Sequence, residues 1–413
     1  MQATTASVPG PPAADWAASG VVALSGRPDG PALVPPGHAA TRARELSSTL
    51  AAVSAQAIAV DGAQLLGERA ALMDLRRRGT VSAGGHCRLL PSADGWAAVS
   101  CARPDDPLLL GALIGDDLDA ADPWPALADW VRAHRGDDLL ERAELLGVAA
   151  GPVRPAAPAR CPAPLTPRSV EGLLVVDFSA LWAGPLCAHL LGLAGARVVK
   201  VETPARPDGA RRGSPQFYAL LHHGHESVVL DPTDSTGRSA LRALVDAADI
   251  VIEASRPRAL AGFGIDAEAA VGRGACWVSI TAAGRASNRI GFGDDIAAAA
   301  GLVAFDTHSG TPAFVGDAIA DPLTGLTAAV LAVSAPADGR GVLWDISMTD
   351  VVASTLTADP VPPTSRRGDT WFVESADGPI PVAKPVSRKP IGPAADSGAD
   401  TARVLESLRI PVP

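Results

Sequence analysis

Aromatic side chains are scarce in this chain, making up 4% of its 413 residues. Basic side chains are too few to balance the acids: the formal net charge is −10 and the isoelectric point lies near 5.3. No run of Lys and Arg with interleaved aromatics occurs. Because nucleic acids and anionic membranes attract basic surfaces, the composition argues against either of them as the main partner.

Cysteine pairs and long apolar runs are also missing. The five cysteines are scattered and odd in number, with no Cys-x-x-Cys pair, which argues against a disulfide framework or a zinc site. His222, His223 and His225 form a cluster that lacks a liganding partner on a defined helix, so we expect no metal. No apolar run approaches a membrane span, and the N-terminus shows neither a basic nor an apolar signal region. We therefore expect a reduced, cytoplasmic protein.

Short apolar runs alternate with helical stretches after residue 168. Val-, Ile- and Leu-rich strands separated by helices are typical of a parallel sheet buried on both faces. The sequence therefore predicts the α/β class, with a Rossmann-like parallel sheet and flanking helices. No Gly-x-Gly-x-x-Gly pattern surrounds Gly184, which argues against a nicotinamide cofactor. The predicted strands are 173–177, 197–201, 227–231, 249–253, 277–281 and 341–347, and the predicted helices are 183–193 and 235–247.

A second type of pattern precedes this part of the chain. Residues 151–168 contain six prolines, which exclude a regular helix and predict an extended linker. We expect a smaller α+β domain at 1–150, the Rossmann-like catalytic domain at 169–350 and a closing segment at 351–413. In the smaller domain the predicted elements are helices at 41–53, 65–78, 106–114, 123–134 and 137–146, and a hairpin around 92–95.

Asp321 stands directly before Pro322 and an apolar run that continues to Val333. Asp is favoured as a helix N-cap and proline at the first helical position, so the segment predicts a helix capped by Asp321. The helix dipole favours the ionised carboxylate there, as a nucleophile requires. Local sequence leaves open the alternative that Asp321 only caps the helix.

Several other motifs bear on that alternative. Residues 173–187 contain Trp182-Ala-Gly-Pro185, and residues 191–204 end in Lys200-Val-Glu-Thr-Pro204. These segments resemble the family III CoA-transferases, which also include α-methylacyl-CoA racemases. The resemblance covers residues 170 to 350. It continues through 222–231, 249–257 and 294–302 to the Asp321 segment.

The resemblance implies a CoA-transferase that moves CoA between an acyl-CoA thioester and a carboxylic acid, through a covalent intermediate on Asp321. It implies coenzyme A and acyl-CoA as substrates, no permanently bound cofactor, and a homodimer. A glycine-rich lid loop in the family matches Gly84 and Gly85, where a plain turn is the alternative. The residues implied to contact CoA are Trp182, Ala183, Arg211, Leu230, Asp231, Ala254, Ser255 and Arg256.

Some positions depart from the family pattern. Thr233 replaces a phosphate-facing lysine, residues 222–227 replace a basic loop, and Gly262 stands where an arginine is expected, although Arg258 is near in sequence. These changes favour a non-catalytic CoA-binding or assembly subunit as one alternative. A 2-methylacyl-CoA racemase is the other, but Asp294 stands at the position of the racemase histidine, so transfer is the preferred interpretation.

The order of the parts is unusual for the family. The smaller domain normally follows the Rossmann-like half, and here it comes first. Residues 15–34 also parallel residues 295–314, but the first copy has no acid where the second offers Asp321. The chain thus resembles a family second half joined ahead of a first half. Chance similarity between Ala-rich helices is the alternative.

Overall fold

A six-stranded parallel sheet forms the centre of the protein. The computed structural model describes residues 12–155, 157, 159, 161–255 and 258–413. The helices are α1 (Pro12–Ser19), α2 (Ala39–Val53), α3 (Gly62–Leu65), α4 (Glu68–Leu72), α5 (Asp106–Ile114), α6 (Trp124–Ala133), α7 (Gly136–Leu146), α8 (Ala183–Leu193), α9 (Pro215–His222), α10 (Ser235–Ala247), α11 (Arg258–Ala261), α12 (Ala267–Gly272), α13 (Gly293–Ala299), α14 (Ala320–Ala332), α15 (Met348–Ala353) and α16 (Thr401–Ser407). The strands are β1 (Cys87–Ser92), β2 (Gly95–Ser100), β3 (Ala150–Pro152), β4 (Thr166–Pro167), β5 (Leu174–Asp177), β6 (Arg197–Glu202), β7 (Glu226–Val229), β8 (Ile250–Glu253), β9 (Cys276–Thr281), β10 (Ala304–Phe305), β11 (Pro312–Ala313), β12 (Ser334–Ala335), β13 (Val342–Ser347), β14 (Thr364–Arg367), β15 (Thr370–Val373) and β16 (Ile380–Pro381).

The central sheet has the strand order β13-β9-β8-β5-β6-β7, and all its neighbouring strands run parallel. From β5 the chain proceeds outward through β6 and β7, and then returns to place β8 on the other side of β5. This is the doubly wound order, in which ligands bind outside the carboxyl ends of the two strands where the direction reverses. The predicted α/β class is confirmed, and each predicted strand lies within two residues of the observed one.

Alternating side chains of β5 explain why its sequence is apolar throughout. Val175 belongs to the cluster on one face, with α8 and α14, whereas Leu174 and Val176 belong to the cluster on the other, with α10 and α12. Successive strand residues point to opposite faces, and both faces of this sheet are covered by helices. Helices α8 and α10 have the bounds that the sequence predicts.

The first part of the chain packs in two ways. Trp16, Leu50 and Leu66, from the segment of α1 to α3, are buried in the same cluster as α8 and α14. A different cluster lies between the antiparallel sheet β1-β2-β3 and helices α5, α6 and α7. Residues 12–72 therefore share a core with the parallel sheet, whereas the segment from β1 to β3 contributes its own cluster. The domain bounds drawn from the linker composition stay a prediction.

The helix predicted at 65–78 is wrong in its extent. The chain forms the two short helices α3 and α4 there, with Gly67 as the N-cap of α4. Helix α4 ends at Leu72, and Asp74 has a φ of +49°, in the left-handed region that a helix does not contain. The break separates Arg69 from the preceding helix.

The two similar segments, 15–34 and 295–314, both begin in a short helix, α1 and α13 respectively. Asp15 and Asp295 occupy corresponding places and neither has any exposed surface. Asp15 pairs with Arg44 of α2. No helix within the described ranges is both long and apolar enough to cross a membrane.

Substitution of Gly325 tests the packing that places α14. A Cβ at Gly325 would lie 2.7 Å from the carbonyl oxygen of Ala183 and 3.0 Å from the Cβ of Leu186. We expect Gly325→Ala to lower the free energy of unfolding by about 1–3 kcal/mol through overpacking, measured by urea denaturation.

Gly272→Ala at the end of α12 is the matched control, because a Cβ there meets no atom within 4 Å. It should leave stability unchanged or raise it slightly, since Ala favours the helix. Equal unfolding midpoints for the Gly325 variant and the wild type would contradict the close approach of α14 to α8.

Candidate active site

A cleft of about 260 Å³ lies at the carboxyl ends of β5 and β8. Ala180 and Leu181 line it from the loop after β5, and Ala254 and Ser255 line it from the loop after β8. This is the place where the strand order reverses, and hence where a doubly wound sheet binds its ligands. Asp321 of α14 also lines the cleft.

Asp321 lies in the first turn of α14, but it does not cap the helix. The N-cap is Ile319, so Asp321 is the second helical residue, and its N–H donates to the carbonyl oxygen of Ala318 at 2.9 Å. The predicted N-cap is therefore wrong by two residues. Because the side chain does not cap the helix, its carboxylate is available to the cleft.

The Asp321 carboxylate lies against the backbone of Gly293, where any Cβ would overlap its Oδ2 atom. Burial raises the pKa of Asp321 to about 7; Arg69 acts in the opposite direction, and Asp294, Asp317 and Asp295 add to the increase. A carboxyl group with this pKa exists in both charge states near neutral pH. Such a shift beside a cleft is typical of a functional carboxylate.

Two neighbouring aspartates begin α13. Asp294 accepts a hydrogen bond at 2.8 Å from the backbone N–H of Ala318, and burial raises its pKa to about 7. Asp295 accepts bonds from Phe292 N at 2.9 Å and from Ser100 Oγ at 2.8 Å, and burial raises its pKa to about 6. These carboxylates hold the backbone around Asp321 in place.

Arg69 is a residue of this site that the sequence did not reveal. Its guanidinium donates to both oxygens of Asp317, at 2.8 Å and 2.6 Å, and lies 5.2 Å from the centre of the Trp182 ring. Arg69 and Asp317 are 248 positions apart in the chain, so no local pattern signals the pair. The pair places the Arg69 guanidinium beside the carboxyl groups of Asp294 and Asp321 as well as that of Asp317.

The residues predicted to contact CoA fall into two groups. Ala183, Ala254 and Ser255 line the cleft with Asp321, and Trp182 is buried directly before Ala183, as the N-cap of α8. The structure therefore places three of these positions at the cleft, with Trp182 buried next to one of them. Arg256 lies outside the described residues.

Arg211, Leu230 and Asp231 do not line this cleft. The Arg211 guanidinium binds the Glu202 carboxylate, with Nη2 to Oε2 at 2.6 Å, and stacks 4.6 Å from the Tyr218 ring centre. Leu230 is buried in the core, and the Asp231 carboxylate accepts hydrogen bonds from Thr233. Arg211 thus has an internal partner where a phosphate contact was predicted.

The predicted lid glycines lie close to the ion pair of Arg69 and Asp317. A Cβ at Gly84 would be 3.6 Å from Arg69 Nη2 and 3.8 Å from Asp317 Oδ1. Gly85 has a φ of +84°, which glycine adopts without strain. This loop therefore reaches the site from the first half of the chain.

Other arginines line the cleft that the sequence did not single out. Arg206 is exposed at the cleft, and Arg103 binds Asp106. Arg289 is half-buried, and its Nε and Nη2 atoms have no hydrogen-bond partner within the described part of the chain. Arginine side chains suit phosphate and carboxylate ligands because their guanidinium groups donate in a planar fork.

Two histidines of the cluster, His222 and His225, are buried, His223 is half-buried, and none of the three lines the cleft. His222 lies in α9, and burial lowers the pKa of His225 to about 3. Within the described residues, no group of three side chains has the geometry to hold a metal ion.

Comparison with known proteins identifies the family of this part of the chain. Residues 170–370 match the model of CoA-transferase family III. They form a CoA-transferase family III domain. The family III domain thus includes Asp321, both strands that flank the cleft, and every predicted CoA-contacting residue.

Curated relatives of this family III domain are named as CoA-transferases. The chain is 27% identical over 207 residues to the succinyl-CoA–D-citramalate CoA-transferase of Chloroflexus aurantiacus, covering 46% of this chain and 52% of the relative. It is 29% identical over 210 residues to the succinate–glutarate CoA-transferase of Agrobacterium fabrum, covering 45% and 52%. The chain therefore spans about half the length of these relatives. A CAIB/BAIF family protein from Brucella suis has a solved structure with 25% identity and a TM-score of 0.46, covering 51% of this chain and 66% of that one.

The raised pKa of Asp321 can be tested by comparing how the stability of the wild type and of Asp321→Asn depends on pH. Because the folded-state pKa lies above the ordinary value of 3.8, the ionisation of Asp321 lowers the stability of the fold as the pH rises from about 4 to about 7. Asn carries no charge and lacks this loss. We expect the melting temperature of the variant to increase relative to the wild type across this range, as measured by thermal unfolding in a pH series.

Asp306→Asn is the control with the opposite sign. The hydrogen bond from the backbone N–H of His308 lowers the pKa of Asp306, so the wild-type carboxylate stabilises the fold once it is ionised. This variant should lose stability relative to the wild type as the pH rises. A constant difference between wild type and Asp321→Asn over the series would contradict the raised pKa.

Proposed function

We propose that the protein transfers CoA from an acyl-CoA thioester to a carboxylic acid, with Asp321 as the covalent nucleophile. The observation that carries this proposal is the place of Asp321: within the described residues, it is the carboxylate that lines the cleft at the carboxyl ends of β5 and β8. The names of the curated relatives support the same reaction class.

In the first half-reaction, the ionised Asp321 attacks the thioester carbonyl. The C–S bond breaks, CoA leaves as a thiolate, and an acyl–aspartyl anhydride forms. The thiolate then attacks the aspartyl carbonyl, which gives an aspartyl–CoA thioester and releases the donor acid as its carboxylate. Covalent catalysis of this kind divides one difficult exchange into easier steps.

In the second half-reaction, the acceptor carboxylate attacks the aspartyl thioester. A second anhydride forms and the CoA thiolate leaves again. The thiolate attacks the acceptor carbonyl of this anhydride, which gives the new acyl-CoA and restores the Asp321 carboxylate. Asp321 is either ionised or acylated at each step. The acylated intermediates would be hydrolysed by water, and partial burial of Asp321 in a small cleft protects them.

Cations line the cleft although several basic positions of the family pattern are absent from this chain. Arg206 and Arg289 line the cleft together with Ala254 and Ser255, and their charge suits CoA phosphates or a substrate carboxylate. This supports CoA binding, which the enzyme and a non-catalytic CoA-binding subunit would share, over a subunit that serves assembly alone. Succinyl-CoA is the first donor to assay, because the relatives named above act on succinyl or succinate compounds.

Racemisation at the α-carbon of the acyl group is the weaker candidate. It would need a second base in the cleft, and Asp294 stands at the relevant position. The Asp294 carboxylate instead accepts a hydrogen bond from the backbone of Ala318. The implied homodimer and cytoplasmic location stay predictions.

Asp321→Asn is expected to abolish CoA transfer. Loss of the nucleophile should lower kcat by on the order of a thousandfold or more, while CoA binding measured by calorimetry persists. After incubation of the wild type with succinyl-CoA and trapping with hydroxylamine or borohydride, mass spectrometry should find the modification on the peptide that contains Asp321.

The same assay separates the alternatives. Near-normal transfer by Asp321→Asn, or a modification on Asp317 instead, would make the assignment of Asp321 wrong. CoA binding without any transfer in the wild type would support the non-catalytic subunit. Exchange of the α-proton in deuterated water would support the racemase.

Arg206→Ala and Arg211→Ala should have opposite consequences. Loss of a charge-assisted contact by Arg206→Ala should weaken CoA binding roughly tenfold with little effect on stability. Arg211→Ala leaves the Glu202 carboxylate, 3% exposed, without its ion-pair partner, and should cost about 3 kcal/mol of unfolding free energy. Calorimetry and urea denaturation measure the two effects. Weaker CoA binding by Arg211→Ala with unchanged stability would restore the phosphate contact predicted from the sequence.

A further inference from the structure

The ion pair between Arg69 and Asp317 joins the first half of the chain to the turn before α14. Arg69 Nε donates to Asp317 Oδ2 at 2.8 Å, and Nη2 donates to Oδ1 at 2.6 Å. The Asp317 side chain has no exposed surface, whereas 27% of the Arg69 side chain is exposed. Two parallel hydrogen bonds of this type fix both the distance and the orientation of the partners.

The turn between Asp317 and Asp321 is held in a strained shape. Ala318 has a φ of +44°, which is unfavourable for a residue with a Cβ. Its N–H donates to Asp294 Oδ1 at 2.8 Å, and its carbonyl oxygen accepts from the N–H of Asp321 at 2.9 Å. A strained turn persists only where its surroundings hold it. Here Arg69 holds one end through Asp317, and Asp294 holds the middle.

Three acidic side chains and one arginine act on Asp321 from the elements packed around it. Asp294 and Asp295 face it from α13 and Asp317 from the turn, and Arg69 from α4 opposes them. Met348 of α15 and Ala183 of α8 bring no charge to the cleft. The remaining charged groups that line it are Arg103, Arg206 and Arg289.

We propose that Arg69 is a positioning residue for Asp321: through Asp317 it holds the turn that presents the nucleophile, and its positive charge allows Asp321 to ionise among three other carboxylates. This inference rests on the proposed transfer reaction for its catalytic meaning. Asp317 serves as the partner that fixes Arg69 in place, and it offsets part of the arginine's charge.

Removal of either partner should change the ionisation of Asp321 in opposite directions. Arg69→Met leaves Asp317 as an uncompensated carboxylate, which opposes a further negative charge on Asp321. Asp317→Asn leaves the Arg69 charge undivided, which favours the negative charge. A role limited to packing would destabilise both variants without this reversal, because the sign comes from the charge alone.

The test measures the ionisation of Asp321 directly, without turnover. Infrared spectra recorded over a pH series show the protonated carboxyl band, and its loss in Asp321→Asn assigns it. We expect the midpoint to move up by about one pH unit or more in Arg69→Met, and down by a similar amount in Asp317→Asn. The double variant should titrate between the two single variants.

The acid limb of the kcat profile for CoA transfer is the second measurement, and its midpoint should move in the same directions. Arg69→Lys keeps the charge but loses the two-point contact. It should therefore titrate near the wild type and show a lower kcat. If Arg69→Met does not fold, the test depends on the other two variants: the titration midpoint of Asp321 should move down in Asp317→Asn and stay near the wild-type value in Arg69→Lys.

Arg44→Met is the matched control. It breaks an ion pair with the buried Asp15 in the same part of the chain, and should lower stability without moving the Asp321 titration. Unmoved midpoints in Arg69→Met and Asp317→Asn, or shifts in one shared direction, would overturn the proposal. If the Asp321 titration midpoints move in opposite directions in the two variants but the wild type shows no CoA transfer, the role of Arg69 in the ionisation of Asp321 is supported and the transferase function is disproved.

Discussion

Contact between α14 and α8 decides where the Asp321 carboxylate lies. Because Gly325 has no side chain, the carbonyl oxygen of Ala183 can approach α14 at a position that a Cβ would obstruct. Ala183 begins α8 and lines the cleft, so the contact that packs the two helices also sets Asp321 at the carboxyl edge of the sheet. Misplacement of a reacting group by about 1 Å costs on the order of a hundredfold in rate. The core packing therefore bears directly on the proposed reaction.

Charge is the second constraint on the site. Several carboxylates meet where α13 and α14 begin, and burial alone would keep them protonated. Arg69 and the hydroxyl of Ser100 counter this from the first half of the chain, by an ion pair to Asp317 and a hydrogen bond to Asp295. The family III domain carries the proposed nucleophile, Asp321, but the electrostatic environment of Asp321 comes partly from residues outside 170–370. Both halves of the chain thus contribute side chains to the surroundings of Asp321.

The sequence predicted the sheet well, because Val- and Ile-rich strands such as β8 are buried on both faces and leave a continuous apolar signal. It also singled out Asp321, from its place directly before Pro322 and an apolar run, for a role that stays a proposal. It misplaced the N-cap, since Ile319 and Asp321 both precede an apolar run. The partner of Arg69 could not be read, because an ion pair between segments 248 positions apart leaves no local pattern. Arg211 was misread although its partner Glu202 lies only nine positions away. A surface arginine and one bound to a buried carboxylate look alike in sequence.

The shared core has a consequence for how the chain acquires its structure. Trp16, Leu50 and Leu66 are buried against helices α8 and α14, which follow them by more than a hundred positions. During synthesis these side chains leave the ribosome long before their partners exist. They stay exposed to water, and to other nascent chains, until α14 has emerged. Contacts between distant segments form slowly and leave apolar surface open to aggregation. Productive folding therefore depends on the rate at which translation delivers the second half relative to self-association of the first.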